Sequence, residues 1–207
     1  MKKIRIFWIL LGSFVLMANV TAQSGITVEA SQLFASFKFT DTEGTNLKSD
    51  YSGIYTGAYN VSYRFVSEGG FMLSLGAGMR KAGATLVYDD MNYNWNLQYA
   101  DGKLGIGYML KNDVVSPYLK VSGYYGYLLR GFQTINNQHF DIKESETINT
   151  SDYGLIVTPG IQLSITGEIS TFFEFNYLMG LKNIEKDESQ ESKNLAYGLT
   201  FGMAFSF

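Results

Sequence analysis

The sequence predicts an all-β fold, an eight-stranded antiparallel up-and-down transmembrane β-barrel that follows an N-terminal signal peptide. Three observations carry this prediction. Large apolar residues alternate with small or polar ones along most of the chain, which is typical of strands with two unlike faces. The chain is rich in aromatic residues and glycine, with 15 Tyr, 15 Phe and 22 Gly. The connections between alternating segments are short and long in turn, as in outer-membrane barrels.

The first 22 residues have the pattern of a targeting segment. Lys2, Lys3 and Arg5 form a basic start, an uncharged and largely apolar run covers 6–20, and small residues up to Ala22 suit a cleavage site. The apolar run is shorter than the ~20 residues that a membrane-spanning helix needs, which disfavours the alternative of an uncleaved anchor. We therefore expect a signal peptide at 1–22 and an outer-membrane β-barrel domain at 23–207.

The predicted strands cover 28–40, 55–65, 71–80, 95–110, 119–129, 153–163, 171–181 and 197–207. Two irregularities interrupt the pattern. In the fourth strand Trp95, Leu97 and Tyr99 occupy odd positions, whereas the apolar residues after residue 103 are even-numbered, so we expect a β-bulge near 100–102. Pro159 cannot donate to a β-ladder and predicts a local bulge or bend in the sixth strand.

The connections divide into two classes. Short ones are expected at 67–70, 111–116 and 166–168, and long polar ones at 40–52, 82–94, 131–151 and 182–194. An up-and-down chain of eight strands places all short turns at one end and all long loops at the other, which is the asymmetry of outer-membrane barrels.

The distribution of charge indicates which face points outward. A soluble lipocalin-like barrel is the alternative, because it also has one apolar face, turned inward around a ligand. A water-facing strand surface is dense in Lys, Glu and Asp, but the polar face here is mostly Gly, Ser, Thr, Ala and Asn with isolated charges. The other face is uninterrupted apolar sequence for about ten residues per strand, the length that a tilted membrane strand requires. This pattern favours the membrane barrel.

The isolated charges predict a polar cluster inside the barrel. Its members are Arg64, Lys120, Glu174, Arg80 and Lys38, with Arg130 on the same face. A lone carboxylate in the lumen would be poorly solvated, so we expect Glu174 to pair with Lys120 or Arg64. Eight strands leave room for little besides side chains, so a conducting channel is the weaker interpretation. A lumen blocked at Arg80, Tyr124 and Phe172 would exclude it.

Three segments resemble the small outer-membrane β-barrel proteins of Bacteroidota known as the PorT-like family. They are SPYLKVSGYYGYLL (116–129), DYGLIVTPGIQLSI (152–165) and FFEFNYLMGLKNI (172–184). The resemblance implies an integral outer-membrane protein with porin-like architecture, in contact with outer-membrane lipid and lipopolysaccharide and inserted by the barrel-assembly machinery. The terminal strand, with Tyr197, Phe201, Phe205 and Phe207, resembles the signal that this machinery recognises. One member of the family serves secretion, so an accessory role in secretion or envelope assembly is an expectation.

The leading functional hypothesis is a structural, adhesion or partner-binding protein without catalytic chemistry. It would bind an unknown extracellular or periplasmic protein. The net charge of −3 lacks the basic footprint of a nucleic-acid-binding protein, and the absence of Cys excludes thiolate catalysis and Cys-ligated metals. We expect no cofactor.

Several alternatives have candidate residues. A membrane-embedded lipid A-modifying enzyme would need His139 near Ser145, Ser151 and an acid such as Asp152, Asp141, Glu144 or Glu146. An acidic loop offers oxygen ligands for calcium or magnesium in Glu185, Asp187, Glu188 and Glu191. An aromatic group near the long loops offers a platform for sugar or protein, and consists of Tyr51, Tyr55, Tyr88, Tyr93 and Trp95.

Overall fold

The chain forms an all-β structure of ten antiparallel strands, seen in a computed structural model that describes residues 22–40, 51–145, 147–186 and 191–207. The strands are β1 (Ala22–Thr40), β2 (Tyr51–Ser52), β3 (Ile54–Ser67), β4 (Phe71–Tyr88), β5 (Met91–Met109), β6 (Val115–Ile135), β7 (Gln138–Asp141), β8 (Ser151–Ser164), β9 (Ile169–Gly180) and β10 (Glu191–Ser206). The predicted signal peptide, apart from Ala22, lies outside the described residues.

Eight of these strands close into a ring. Each long strand pairs with its neighbours in the chain, and β1 pairs with both β3 and β10, so the sheet has no free edge along its main path. The remaining two are short additions, β2 against β4 and β7 against β6. The predicted eight-stranded antiparallel up-and-down barrel is therefore confirmed.

The short turns lie at one end of the ring, as the sequence predicted. They join β3 to β4, β5 to β6 and β8 to β9. At the other end, two of the predicted long loops prove to be extended hairpins. Asp89 and Asp90 form a two-residue turn with positive φ angles of 50° and 57°, and Asn136 and Asn137 form another with 43° and 68°. Asp and Asn tolerate this left-handed conformation and make the turns that match strand twist.

The inner and outer faces follow the predicted alternation in β3, β9 and β10. On β10, Tyr197, Phe201 and Phe205 are exposed on the outer wall, whereas the small residues between them face a crowded interior. Gly202 shows how crowded it is, because a Cβ added there would lie 2.2 Å from the ring of Phe172. Small residues on the inner face are thus a requirement of the narrow lumen.

The orientation predicted for the first half of β5 is wrong. Its odd-numbered residues face inward along the whole strand, and Leu97 and Tyr99 are fully buried. No bulge occurs at 100–102. The irregularity lies in the partner strand, because Gln98 pairs with Arg130 and Tyr99 pairs with Leu128, which leaves one extra residue, Leu129, in β6. Beyond this bulge Arg130 is exposed on the outer wall. The prediction that it lies on the inner face is therefore wrong.

The reason for the error is that the strands continue beyond the apolar band, which is the belt of exposed apolar side chains on the outer wall that faces lipid. β5 has 19 residues, against the roughly 9–11 that cross a bilayer as a tilted strand. Above the band its outward residues are polar, with Asn92, Asn94 and Asn96 exposed, and its inward residues join an apolar core. That core consists of Phe37, Ala82, Ala84, Leu97, Tyr99, Leu128, Ile142, Ile148 and Ile184. The outer face therefore changes from apolar to polar, and the inner face from polar to apolar, where the surroundings change from lipid to water.

Pro159 lies in β8 with its side chain on the exposed outer face. It stays in register with Leu119 of β6. Toward β9 the described pairing stops at Val157 and resumes at Gly160 without a change of register. The expected bulge is therefore absent, and the missing amide donor interrupts the ladder locally.

Within the described ranges, no helix is both long and apolar enough to cross a bilayer.

The position of the apolar band on β5 is testable with one charge placed at two heights. We expect Leu104→Arg, on the outer wall and 63% exposed, to lower the free energy of unfolding by about 2–4 kcal/mol in lipid vesicles. Asn94→Arg, on the same face above the band, should change it by less than about 0.5 kcal/mol. Urea titration followed by tryptophan fluorescence measures both, and equal losses would contradict the assigned band.

Candidate functional site

The lumen holds two groups of charged side chains, and the first surrounds Glu174 on β9. Lys120 of β6 donates from Nζ to Glu174 Oε1 at 2.9 Å, and the Tyr118 hydroxyl donates to the same oxygen at 2.7 Å. The pairing expected for Glu174 is therefore present, with Lys120 as the partner. Arg64 instead donates to the Gln162 carboxamide, and its guanidinium lies 5.5 Å from the ring centre of Phe172.

The second group surrounds Arg80 on β4, farther toward the hairpin end. Its guanidinium donates to Asp101 Oδ2 at 2.8 Å and to Asp152 Oδ2 at 2.9 Å, and all three side chains are buried. Tyr99 and Tyr124 flank the guanidinium, with ring centres 4.8 and 4.9 Å away. One cation thus joins β4 to both β5 and β8.

Two further side chains donate to Asp152, both to Oδ2, whereas its buried Oδ1 has no hydrogen-bond partner among the described residues. Its Oδ2 also accepts from the Tyr124 hydroxyl at 3.0 Å and from the Asn194 carboxamide at 2.9 Å. Multiple donors are what a buried carboxylate requires, because an ion removed from water is costly unless it is paired and hydrogen-bonded.

Sequence reasoning missed both carboxylates of this group. The bulge predicted at 100–102 contains Asp101, and the sequence places Asp152 at the end of a long loop. The detectable signal was parity, because Asp101 is in phase with the inward residues Leu97 and Tyr99 once β5 is read without a bulge.

A third pair was also missed. Lys103 on β5 lies 3.8 Å from Glu29 on β1, across the lumen, with both side chains largely buried. In the described part of the chain, the inward charges are therefore balanced. The cations are Arg64, Arg80, Lys103 and Lys120, and the anions are Glu29, Asp101, Asp152 and Glu174.

The prediction that Lys38 belongs to this interior cluster is wrong. Lys38 is exposed on the outer wall, and its neighbours Phe37 and Phe39 are the buried residues of that part of β1. The physical reason is the exchange of faces described above. At this height the interior is apolar and the exterior is aqueous, so a lysine is favoured outside.

Apolar side chains close the lumen at both ends. At the short-turn end, Val66, Met72, Met109 and Tyr118 form a buried cluster. At the other end lies the larger core that contains Leu97 and Leu128. Between them Arg80, Tyr124 and Phe172 are buried, as expected for a filled lumen. Buried side chains therefore occupy the lumen at both ends and at its middle.

The candidate catalytic residues converge only in part, because His139, Asp141, Glu144 and Ser145 line one groove but His139 is hydrogen-bonded to neither the serine nor an acid among the described residues. His139 is exposed on β7, where its Nδ1 is hydrogen-bonded to the Thr134 hydroxyl at 2.8 Å. Ser151 accepts from Lys182, and Asp152 lies in the lumen beside Arg80. Glu146 lies outside the described residues. Among the described residues, the His139 ring nitrogen is therefore bonded to Thr134 and not to a candidate serine or acid.

The candidate metal-binding loop is dispersed where it can be seen. Glu185 accepts from the Ser192 hydroxyl at 2.8 Å, and Glu191 pairs with Lys193. Asp187 and Glu188 lie outside the described residues. No group of three or more His, Cys, Asp or Glu side chains suited to a metal ion occurs among the residues that the structure describes.

The aromatic platform divides into two parts. Tyr51 and Tyr93 pack on Trp95, with ring centres 5.7 and 5.9 Å away, at the mouth of the apolar core. Tyr55 and Tyr88 are exposed elsewhere. The structure thus brings three of the five predicted residues together.

Comparisons with known proteins agree with this architecture. The family model described as "Outer membrane protein beta-barrel domain" matches residues 17–186. The fold is similar to that of Neisserial surface protein A (NspA), with 12% identity and a TM-score of 0.53 over 90% of this chain and 99% of that one. It is also similar to the outer membrane protein OprG from Pseudomonas aeruginosa, with 10% identity and a TM-score of 0.50 over 88% and 97% of the two chains. No curated relative matches the sequence.

Removal of the shared cation should reveal how much the barrel depends on it. We expect Arg80→Met to lower the free energy of unfolding by about 3–5 kcal/mol, because two buried carboxylates lose their partner. The triple variant with Asp101→Asn and Asp152→Asn should recover part of the loss. Arg130→Met, which removes an exposed arginine, is the control and should cost less than about 0.5 kcal/mol. Urea unfolding in vesicles measures all three, and an equal loss in Arg80→Met and the triple variant would contradict the ion-pair explanation.

Proposed function

Because the chain belongs to the family of outer membrane protein beta-barrel domains, we propose that it is a non-conducting outer-membrane barrel that presents a partner-binding surface beyond the membrane and performs no catalysis. It is an integral outer-membrane protein with an all-β antiparallel barrel. The observation that carries the proposal is the combination of a sealed lumen with ordered strands that continue past the apolar band.

The lumen supports a role without transport. Most of its charges are paired with one another, Arg64 donates to the Gln162 carboxamide, and apolar clusters occupy both ends. An ion or solute crossing it would have to separate buried pairs such as Arg80 and Asp152, which is strongly unfavourable in a low-dielectric interior. The interior is therefore a structural core that fixes the eight strands.

The part of the barrel beyond the apolar band, called the extension from here on, supports a role in binding. β4, β5, β6 and β7 form a sheet beyond the band, with a tight turn at the tip of each hairpin. The apolar core beneath this sheet orders it without help from the membrane. A groove of about 1010 Å³ lies at its inner side, lined in part by Trp95, Phe140, Glu144 and Thr147. Aromatic and polar side chains around a concave surface suit a protein partner.

We also propose that the protein belongs to the PorT-like family. The PorT-like resemblance, with its accessory role in secretion or envelope assembly, rests on 116–129, 152–165 and 172–184. These segments contribute Lys120, Tyr124, Asp152 and Glu174 to the interior groups, so the likeness lies in residues that build the lumen. The signal peptide at 1–22 and recognition of the terminal strand by the barrel-assembly machinery belong to the same proposal.

The alternative function, lipid A modification, is less well supported, because His139 shares a groove with Ser145, Asp141 and Glu144 but is hydrogen-bonded to Thr134 instead of any of them. His139, Ser151 and Asp152 face three different surroundings. The lipocalin-like alternative is disfavoured by the exposed apolar wall, which carries Leu75, Leu104 and Leu199 among others.

The filled lumen predicts that the protein does not conduct ions. Purified protein inserted in planar bilayers should give no stepwise conductance at neutral pH, because the paired charges and apolar ends leave no water-filled path. Insertion must be verified in the same samples by heat-modifiable migration on gels. Reproducible single-channel steps from folded protein would refute the non-conducting role.

The extension predicts where a protein partner is found. A photo-crosslinking residue at Phe140, exposed on β7, should capture a specific protein in intact cells. The same residue at Val114, which is exposed on a short turn at the opposite end, is the matched control. If Phe140 gives no adduct, or gives the same adducts as Val114, the assignment of the binding surface to the extension is wrong.

A further inference from the structure

The outer face of β5 changes its chemistry with height in three steps. Its lower part is apolar, with Ile106 and Leu104 exposed on the barrel wall. Gln98 follows at the upper edge of this apolar part, and Asn96 and Asn94 continue the same face above it. A single straight column of side chains thus leads from an apolar surface to uncharged amides.

Two cations flank this column at the position of Gln98. Gln98 pairs with Lys81 on β4 and with Arg130 on β6, so the three residues form one row across three strands. All three point to the outer wall, and Lys81 and Arg130 are exposed. With neighbouring strands about 4.8 Å apart, the two cations start roughly 10 Å from each other.

The bulge in β6 is what places Arg130 in this row. Leu129 is the extra residue, and both Leu129 and Arg130 are exposed as a result. Without the bulge, Arg130 would alternate with Leu129 and face the interior. Bulges are over-represented at the rims of barrels and next to active sites, where they re-aim a side chain.

A third cation lies beside the row. Lys143 donates from Nζ to the carbonyl of Leu129 at 3.0 Å, and the same atom lies 5.7 Å from the ring centre of Tyr127. Glu144 directly follows Lys143 in the chain and is exposed, and the Asp141 carboxylate accepts from the backbone N–H of Lys143. In the part of the chain that the structure describes, neither Lys81 nor Arg130 forms an ion pair.

We propose that this surface binds a phosphorylated glycolipid of the outer leaflet. Its phosphate lies between Lys81 and Arg130, its acyl chains lie on the apolar wall below, and its sugars lie against the amides of β5 above. Arginine and lysine are the side chains that recognise phosphate. Carboxamides both donate to and accept from sugar hydroxyls. The vertical order of the three surfaces is the order of acyl chain, phosphate and sugar in such a lipid.

A shallow groove provides the place for the sugars. It has a volume of about 450 Å³ and is lined by Asn92, Asn94, Thr134, Asn136 and Asn137. All five side chains are polar and uncharged, and the volume is within the range of small-ligand sites. A free phosphate ion would use only the cations, whereas a membrane glycolipid uses the wall, the cations and the groove together.

The test measures lipid binding to the full barrel in nanodiscs of a zwitterionic lipid. The probes are fluorescent diphosphoryl lipid A, the same lipid A without phosphates, and a rough lipopolysaccharide that carries core sugars. The double variant Lys81→Gln and Arg130→Gln removes the cations, and Lys111→Gln, exposed at the opposite end of the barrel, is the matched control. Heat-modifiable migration establishes that each variant is folded, and the charge-retaining pair Lys81→Arg and Arg130→Lys serves as a rescue.

We expect the double variant to bind diphosphoryl lipid A roughly 10- to 30-fold more weakly than the wild type. The control and the charge-retaining pair should bind nearly normally. The wild type should bind phosphate-free lipid A as weakly as the double variant does, and millimolar inorganic phosphate should not displace the lipid. The proposal is overturned if the double variant binds as tightly as the wild type, if Lys111→Gln loses as much affinity, or if inorganic phosphate displaces the lipid at that concentration.

The sugar-binding part has its own readout. Core sugars should increase wild-type affinity over lipid A alone, and Asn94→Ala with Asn96→Ala should remove that gain while leaving lipid A binding intact. An unchanged gain in this variant would exclude the groove and refute the sugar half of the proposal.

Discussion

Closure of the ring between β1 and β10 is the constraint on which the rest of the structure depends. The two strands pair from Gly25 opposite Ser206 to Thr40 opposite Glu191. In hydrocarbon, a free strand edge would leave a row of backbone groups without hydrogen bonds, so only a closed sheet is stable there. Closure with eight strands fixes a narrow interior. The small inward residues and the paired inward charges both follow from that width.

The interior charges satisfy one another across strands that are distant in sequence. Arg80 joins three strands through Asp101 and Asp152, and Lys120 and Glu174 join β6 to β9. The upper group has one cation for two carboxylates, whereas the remaining inward residues, Arg64, Lys103, Lys120, Glu29 and Glu174, have a positive excess. The two imbalances cancel over the described lumen, which is what a poorly solvated core of fixed volume requires.

The same strands contact lipid in the lower barrel and water in the extension. In the lower barrel the outside is apolar and the inside polar, and in the extension the arrangement is reversed, with Leu97 inside and Asn96 outside. This reversal gives the protein an aqueous domain that is continuous with its membrane anchor. It also aligns apolar, basic and amide surfaces on one wall, which is the geometric basis of the proposed glycolipid binding.

The sequence by itself determined the all-β class, the number of long strands, the short-turn end and the faces of β3, β9 and β10. Each of these depends on local alternation or on turn length. The cost of an isolated carboxylate predicted that Glu174 pairs with Lys120 or Arg64, and the tertiary structure decided for Lys120. Only the tertiary structure decided the orientation of β5, the outward position of Lys38 and the inward positions of Asp101 and Asp152. A two-residue period has the same form whichever face is inside. The height at which a strand leaves the apolar band, and a bulge in its neighbour, are properties of the assembled ring, so they decide which face becomes the core.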